Sequence, residues 1–170
     1  DIQYGSRYIS KRILDILLII IFLIIFLPLL IVSILIIVVL DGFPAVIKQT
    51  RVGLHGKNFE MFKLRTMKKN SHLEREDLQE LNEQSGPLFK IENDPRIIKG
   101  TKFLRRFSLD EIPQLINVVK GEMSLVGPRP LFPEDNSYFD EHYLRRLNVL
   151  PGITGLLQIN DRNTDDFHTW

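Results

Sequence analysis

The sequence predicts an α/β fold in two parts, an apolar helical segment for a lipid bilayer within residues 1–40 and a small mixed helix-and-strand unit over 41–170. Three observations predict it. Residues 16–40 form a run of 25 residues without a charge, interrupted only by Pro28 and Ser33. After it, short strand-like runs and helical periodicities alternate between Gly and Pro punctuation. The length of 170 residues suits one domain with a real core.

Composition narrows the function classes. With 22 Lys and Arg against 21 Asp and Glu, the formal net charge is +1, which argues against a bulk nucleic-acid binder and so against a nucleic-acid partner. There is no Cys, which removes disulfide scaffolds, zinc ribbons and thiol nucleophiles. The chain begins at Asp1 rather than Met, so a longer parent chain is expected.

The apolar run is too long for a signal peptide, and no small-residue cleavage site precedes Asp41. As a straight helix it would measure about 38 Å, enough to cross a hydrocarbon core with some tilt. Pro28 stands at its midpoint, with 12 residues on either side, and each half alone is too short to span. Basic residues flank both ends: Arg7, Lys11 and Arg12 before, Lys48, Arg51 and Lys57 after. A single crossing usually carries its basic excess on one side, so two readings stand at this point, a spanning helix with a Pro kink and a hairpin that enters and leaves by one face. Asp15, at the mouth, either faces water at headgroup level or pairs with Lys11 or Arg12.

Residues 45–49 and 58–64 read as strands around the turn Gly53-Leu54-His55-Gly56. A surface helix is expected over 74–84, ended by Ser85-Gly86-Pro87. The clearest helix of the second part covers 108–120, with Ile112, Leu115, Ile116 and Val119 on one face and Gly121 as its stop. Residues 124–126 and 156–159 read as strands, 139–147 as a helix, and Pro151-Gly152-Ile153-Thr154-Gly155 as a tight turn.

Three constellations carry chemistry. Ser108 with Glu111 matches a capping box, and Asp110 in the same first turn sits where free N–H groups favour negative charge, phosphate or metal. Arg105 and Arg106 lie just upstream, so capping and a phosphoryl-transfer centre both stand as readings. Arg129, between Pro128 and Pro130 after Gly127, has a stiffened backbone that presents its guanidinium fork at low entropic cost; a rigid surface turn is the alternative. Alternation in Phe62-Lys63-Leu64-Arg65 puts Lys63 and Arg65 on one side of a strand, as a solvated edge or as one wall of an anion site. Seven basic residues against one acid between Lys48 and Lys69 make this stretch a surface for anionic headgroups, a phosphorylated ligand or plain solvent. No Walker A or GxGxxG loop is present, and His55, His72, His142 and His168 show no metal-ligand spacing.

The strings "KRILDILL", "KQTRVGLHGKNFEMFKLRTM", "GPLFKIENDPRIIKGTKFLRRFSLDEIPQLINVVKGEMSLVGPRP" and "LPGITGLLQI", with the Pro-broken apolar run, resemble the bacterial sugar transferases. More narrowly, they resemble the monotopic polyprenyl-phosphate phosphoglycosyl transferases, in register from about Lys11 to Ile159. The resemblance implies a membrane-bound catalytic domain: a re-entrant helix hairpin broken at Pro28 in residues 1–40, and a small cytoplasmic α/β unit with surface amphipathic helices in 41–170. It implies transfer of a sugar 1-phosphate from a nucleoside diphosphate sugar, usually a UDP-sugar, to undecaprenyl phosphate, with release of UMP and with Mg²⁺ as cofactor. By motif position, Asp110 would be the nucleophile that carries the phosphosugar, and Glu111 its partner in holding Mg²⁺. Lys63, Arg105 and Arg129 would contact the phosphates, with Arg65 completing that basic wall.

The implied setting is the cytoplasmic face of a bacterial inner membrane, at the first membrane step of exopolysaccharide, capsule or O-antigen assembly. A longer parent would be a natural place for homo-oligomer contacts. Where many members have Ser before the break, this chain has Leu27, and many have Phe where it has Leu64. The family usually continues past Trp170 with an aromatic, amphipathic tail. A catalytically silent, membrane-anchored module that binds nucleotide sugar is the alternative from another class.

Overall fold

A computed structural model describes residues 6–71, 78, 82, 91, 93–134, 144–155 and 159. The helix expected over 74–84 lies outside the described residues except at 78 and 82, and the one over 139–147 is described only from 144, where a 3₁₀ turn covers Arg145–Asn148.

The apolar run forms one helix, α1, Ser6–Asp41, with Pro28 inside it. It is long and apolar enough to cross a membrane. Ile24 is 74% exposed and Val39 82%, which separates α1 from the core helix of a soluble protein. Near the proline, the Ser33 hydroxyl donates to the Leu29 carbonyl at 2.7 Å, a back-bond of the kind that bends helices.

After α1, strands β1 (Val46–Val52) and β2 (Asn58–Leu64) pair antiparallel, with Lys48 opposite Phe62 and Ile47 opposite Lys63. The expected turn residues close the hairpin through a 3₁₀ turn, Leu54–Gly56, in which His55 adopts a positive φ of 54°. The short helix α2, Lys102–Arg106, follows.

The helix expected over 108–120 is two elements, a 3₁₀ segment Leu109–Gln114 and then α3, Leu115–Lys120. Pro113 explains the change. It has no N–H to continue an α-helical ladder, and it disfavours α geometry at Ile112. Ser108 takes a left-handed φ of 56° and makes no side-chain cap bond, so the expected capping box does not form. The change of pitch also rotates the buried face. Leu115 and Val118 are buried, whereas Ile116 and Val119, expected on the core side, are exposed.

Strand β3, Ser124–Val126, pairs parallel with β4, Gly152–Thr154. The expected tight turn at 151–155 is therefore strand, and Ile159, expected in a strand, is helical through its N–H to the Gly155 carbonyl. Glycine decides the pairing. A Cβ on Gly152 would collide with the backbone of Gly127, and one on Gly127 would meet the backbone of Leu150 and Gly152.

Two core clusters tie α1 to the second part. Ile19, on the first half of α1, packs with Met61, Leu115, Val118, Met123 and Leu125. Ile37, on the second half, packs with Ala45, Leu64 and Leu104. In the second part, each buried Leu, Val or Met of these clusters contributes about 1.5–3 kcal/mol by leaving water.

Candidate active site

Strand β2 and the 3₁₀ segment that follows α2 lie against each other and bring together residues nearly fifty positions apart. Lys63 Nζ sits 3.0 Å from Asp110 Oδ2 and 3.8 Å from Glu111 Oε1. Both guanidinium nitrogens of Arg129, Nη1 and Nη2, donate to Glu111 Oε1 at 3.3 Å. Asp110 is almost fully buried, and Lys63 keeps 20% of its side chain exposed. Two carboxylates and two cations thus form a closed, nearly neutral group. That closure suits a buried carboxylate, whose charge is costly unless paired.

Asn117 fixes this part of β2. It is fully buried on α3. Its Oδ1 accepts from the Phe62 N–H at 3.0 Å, and its Nδ2 donates to the Glu60 carbonyl and to Glu122 Oε2, both at 2.7 Å. The carboxamide serves the free edge of β2 as a neighbouring strand would, beside Lys63.

The loop that carries Arg129 is held through its backbone, at four consecutive carbonyls. Pro128 O accepts from the Gly152 N–H at 2.9 Å, and Arg129 O from Arg146 Nη2 at 2.9 Å. Pro130 O accepts from Arg51 Nη1 at 3.4 Å, and Leu131 O from the Val52 N–H at 2.9 Å. Arg51 is buried and stacks over the Phe132 ring, 3.3 Å from its centroid. Arg129 is therefore presented by a loop with little freedom to move.

Of the other expected basic residues, Arg65 stands elsewhere. Arg65 is not beside Lys63. β2 ends at Leu64, so the alternation that would align the two stops one residue short. Its buried guanidinium pairs with the Asp41 carboxylate and donates to the carbonyls of Asp41 (3.1 Å), Gly42 (2.6 Å) and Pro44 (2.6 Å). Arg105, on α2, is half-buried, and its charge acts on Asp94. At Asp94 burial opposes ionisation, but hydrogen bonds from the Arg96 side chain and backbone, and the charges of Arg96 and Arg105, outweigh it. The carboxyl is held below the usual carboxylate range.

Asp15 pairs with Lys11 at 3.1 Å and accepts from the Ser124 hydroxyl at 2.7 Å, which settles its two sequence readings in favour of the partner. Pro28 lies far along α1 from the Asp110 group in sequence and forms no part of it.

Among the described residues no three His, Asp or Glu side chains converge as a metal cage. Asp110 and Glu111, whose carboxylates share the Lys63 ammonium, are the residues that would hold Mg²⁺, an ion that commonly takes one or two carboxylates and fills its remaining positions with substrate phosphates and water.

The roles of Asn117, Arg51 and Arg146 and the Gly127–Gly152 contact are not visible in the sequence. A polar residue inside an apolar helical stretch was the one available signal, at Asn117. Arg51 stands in the sequence only as one member of the basic run and Arg146 carries no signal, because only the tertiary fold reveals the carbonyls they serve.

The family described as bacterial sugar transferase matches residues 6–170. The galactosyl transferase CpsE of Streptococcus agalactiae is 44% identical over 160 residues, which cover 93% of this chain and 35% of that protein. The undecaprenyl-phosphate galactose phosphotransferase of Salmonella typhimurium is 44% identical over 140 residues, 78% of this chain and 29% of its own length. The exopolysaccharide production protein ExoY of Sinorhizobium fredii is 37% identical over 168 residues, 95% of this chain and 73% of its own. The chain thus spans about a third of the length of the first two relatives.

Proposed function

The chain belongs to the bacterial sugar transferase family, and from that premise we propose that it transfers a sugar 1-phosphate from a UDP-sugar to undecaprenyl phosphate and releases UMP. The observation that carries this reading is the closed group Lys63, Asp110, Glu111 and Arg129, two carboxylates already matched to two phosphate-seeking cations. Relatives named for undecaprenyl-phosphate transfer of galactose and of glucose 1-phosphate support it.

The chemistry follows from the charges. The diphosphate of a UDP-sugar brings two negative charges and several acceptor oxygens, so it competes with the carboxylates for Lys63 and Arg129. Asp110 loses its ion-pair partner and becomes available as a nucleophile in a site with little water. Its oxygen attacks the β-phosphorus, the bond from that phosphorus to the bridging oxygen breaks, and UMP leaves with the electron pair. An oxygen of undecaprenyl phosphate then attacks the same phosphorus, the bond to Asp110 breaks, and the carboxylate returns. No proton has to be supplied in either displacement. Mg²⁺, held by Asp110 and Glu111, would neutralise phosphate charge during transfer. Arg129, on its pinned loop, is ready to hold the phosphate without reorganisation.

The same reading favours a re-entrant α1. Ile19 and Ile37 stand nine residues on either side of Pro28. A straight helix would hold them about 27 Å apart. Their partners on β2, Met61 and Leu64, are only about 10 Å apart along an extended strand. Bending at Pro28 lets both arms meet the catalytic part from one side of the membrane, at the cytoplasmic face of the inner membrane. Exposed Phe103 on α2, Phe107 directly after it, and Ile116 and Val119 on α3 then rest at the lipid surface.

The test is UMP release by the membrane-bound chain supplied with undecaprenyl phosphate, Mg²⁺ and a panel of UDP-sugars. Release with one donor, dependent on both acceptor and Asp110, is the expected result. Nucleotide-sugar binding without release under any condition would favour the silent binding module instead.

A further inference from the structure

Two polar clasps join α1 to the catalytic part, one on each arm. Asp15 and Asp41 each lie thirteen residues from Pro28. On the first arm, buried Asp15 accepts from the Ser124 hydroxyl at 2.7 Å, and Lys11 bonds both groups. Arg12 Nη2, one turn before, donates to the Val119 carbonyl at 2.8 Å. On the second arm, buried Arg65 gathers the Asp41 carboxylate with the carbonyls of Asp41, Gly42 and Pro44, the last groups of α1 and the start of the chain beyond it.

Each clasp is joined to a cation of the site by a short stretch of backbone. Arg65 follows Lys63 by two residues, and Ser124 lies on β3, which runs directly into the Arg129 loop. Apolar packing alone would not fix the register. Lipid tails satisfy Ile19 and Ile37 as well as protein does, so in a bilayer such contacts resist sliding only weakly. A slip of one turn moves a helix by 5.4 Å relative to its neighbour. Charged, directional contacts at both mouths remove that freedom.

We propose that the Asp15–Ser124 and Asp41–Arg65 clasps are a positioning device that sets the height of Asp110 relative to the bilayer, and so its reach to the phosphate of a membrane-embedded lipid acceptor. The proposal rests on the two-step transfer reading. The donor arrives from water and is indifferent to height, whereas the lipid acceptor is confined to headgroup depth. Asp15, Asp41 and their partners therefore act on the second displacement and leave the first alone.

The experiment uses the full chain in phospholipid vesicles with the variants Asp15→Asn and Asp41→Asn. Phosphosugar loading from the UDP-sugar without acceptor should match the parent. Transfer to undecaprenyl phosphate should fall about 10- to 100-fold, the scale of an ångström-sized misplacement. With a short, water-soluble isoprenyl phosphate the transfer rate should return to within about twofold of the parent, because a freely diffusing acceptor needs no set height. Parallel loss with both acceptors, or no loss with either, overturns the proposal.

A second measurement is independent of catalysis. The chain has no Cys, so a spin label at Phe43→Cys reports one depth. The clasp variants should shift or broaden the immersion depth of that label, and an unchanged depth overturns the proposal as well. Failure of the parent to load any donor would instead strike the two-step reading, and the depth measurement would still judge the clasps.

Discussion

Lys63 and Asp110 hold each other at 3.0 Å across the junction of β2 with a 3₁₀ segment, the carboxylate buried and the ammonium partly open to water. Their different exposure matters, because the cation can turn toward an arriving phosphate while the carboxylate stays where it is. Replacing Lys63 by Met leaves Asp110 as a buried charge without its closest partner. We expect stability to fall by about 2–3 kcal/mol, less than a fully buried pair would lose because Lys63 is partly solvated. The double variant Lys63→Met, Asp110→Asn should recover most of that stability in urea denaturation and none of the activity.

Asn117→Leu keeps the volume of the side chain but strips the bonds to Phe62, Glu60 and Glu122. Each orphaned backbone group costs about 1–3 kcal/mol. The variant should be strongly destabilised in thermal unfolding, and hydrogen exchange at the Phe62 amide should speed up more than at amides within the β1–β2 ladder. Equal acceleration along all of β2 would count against Asn117 as a local bracket.

Gly152→Ala places a methyl group against the Gly127 backbone, where no flexible side chain can yield. The expected outcome is separation of β3 from β4 and loss of the Pro128 carbonyl bond, seen as reduced affinity for the nucleotide donor by calorimetry. Gly56→Ala is the control. Nothing lies within 4 Å of its added Cβ, though its φ of 74° brings a local backbone cost.

Acid should weaken the fold through Asp94. Its folded-state pKa is lowered by Arg96, against the penalty of burial, so the ion pair contributes stability above the unfolded carboxylate range. That contribution is lost as pH falls through the folded value, which lies below the ordinary carboxylate range. Chemical denaturation across pH 3–6 should show a steeper acid limb for the parent than for Asp94→Asn. Identical limbs would remove Asp94 from the account.

The sequence exposed what depends on local pattern. The uncharged run became α1, the first two strands appeared within a few residues of their expected places, and Lys63, Asp110, Glu111 and Arg129 converge. What it hid depends on geometry that pattern does not encode. Pro113 turned the start of a regular helix into a 3₁₀ segment, and this moved Ile116 and Val119 out of the core. Arg65 read as the neighbour of Lys63 by alternation, but the strand ends before it and the end of α1 claims its guanidinium. Gly152 read as part of a turn, although its lack of a Cβ serves a parallel strand pair formed with residues far away in sequence.

The most direct test of the central claim is intact-protein mass spectrometry after incubation with Mg²⁺ and a panel of UDP-sugars, with no lipid acceptor. The account predicts a gain of one sugar phosphate with the preferred donor, mapped to Asp110, absent in Asp110→Asn and discharged by undecaprenyl phosphate. UMP release that depends on acceptor, with no adduct on Asp110 even after rapid quenching, would contradict it and point to direct transfer between the two substrates.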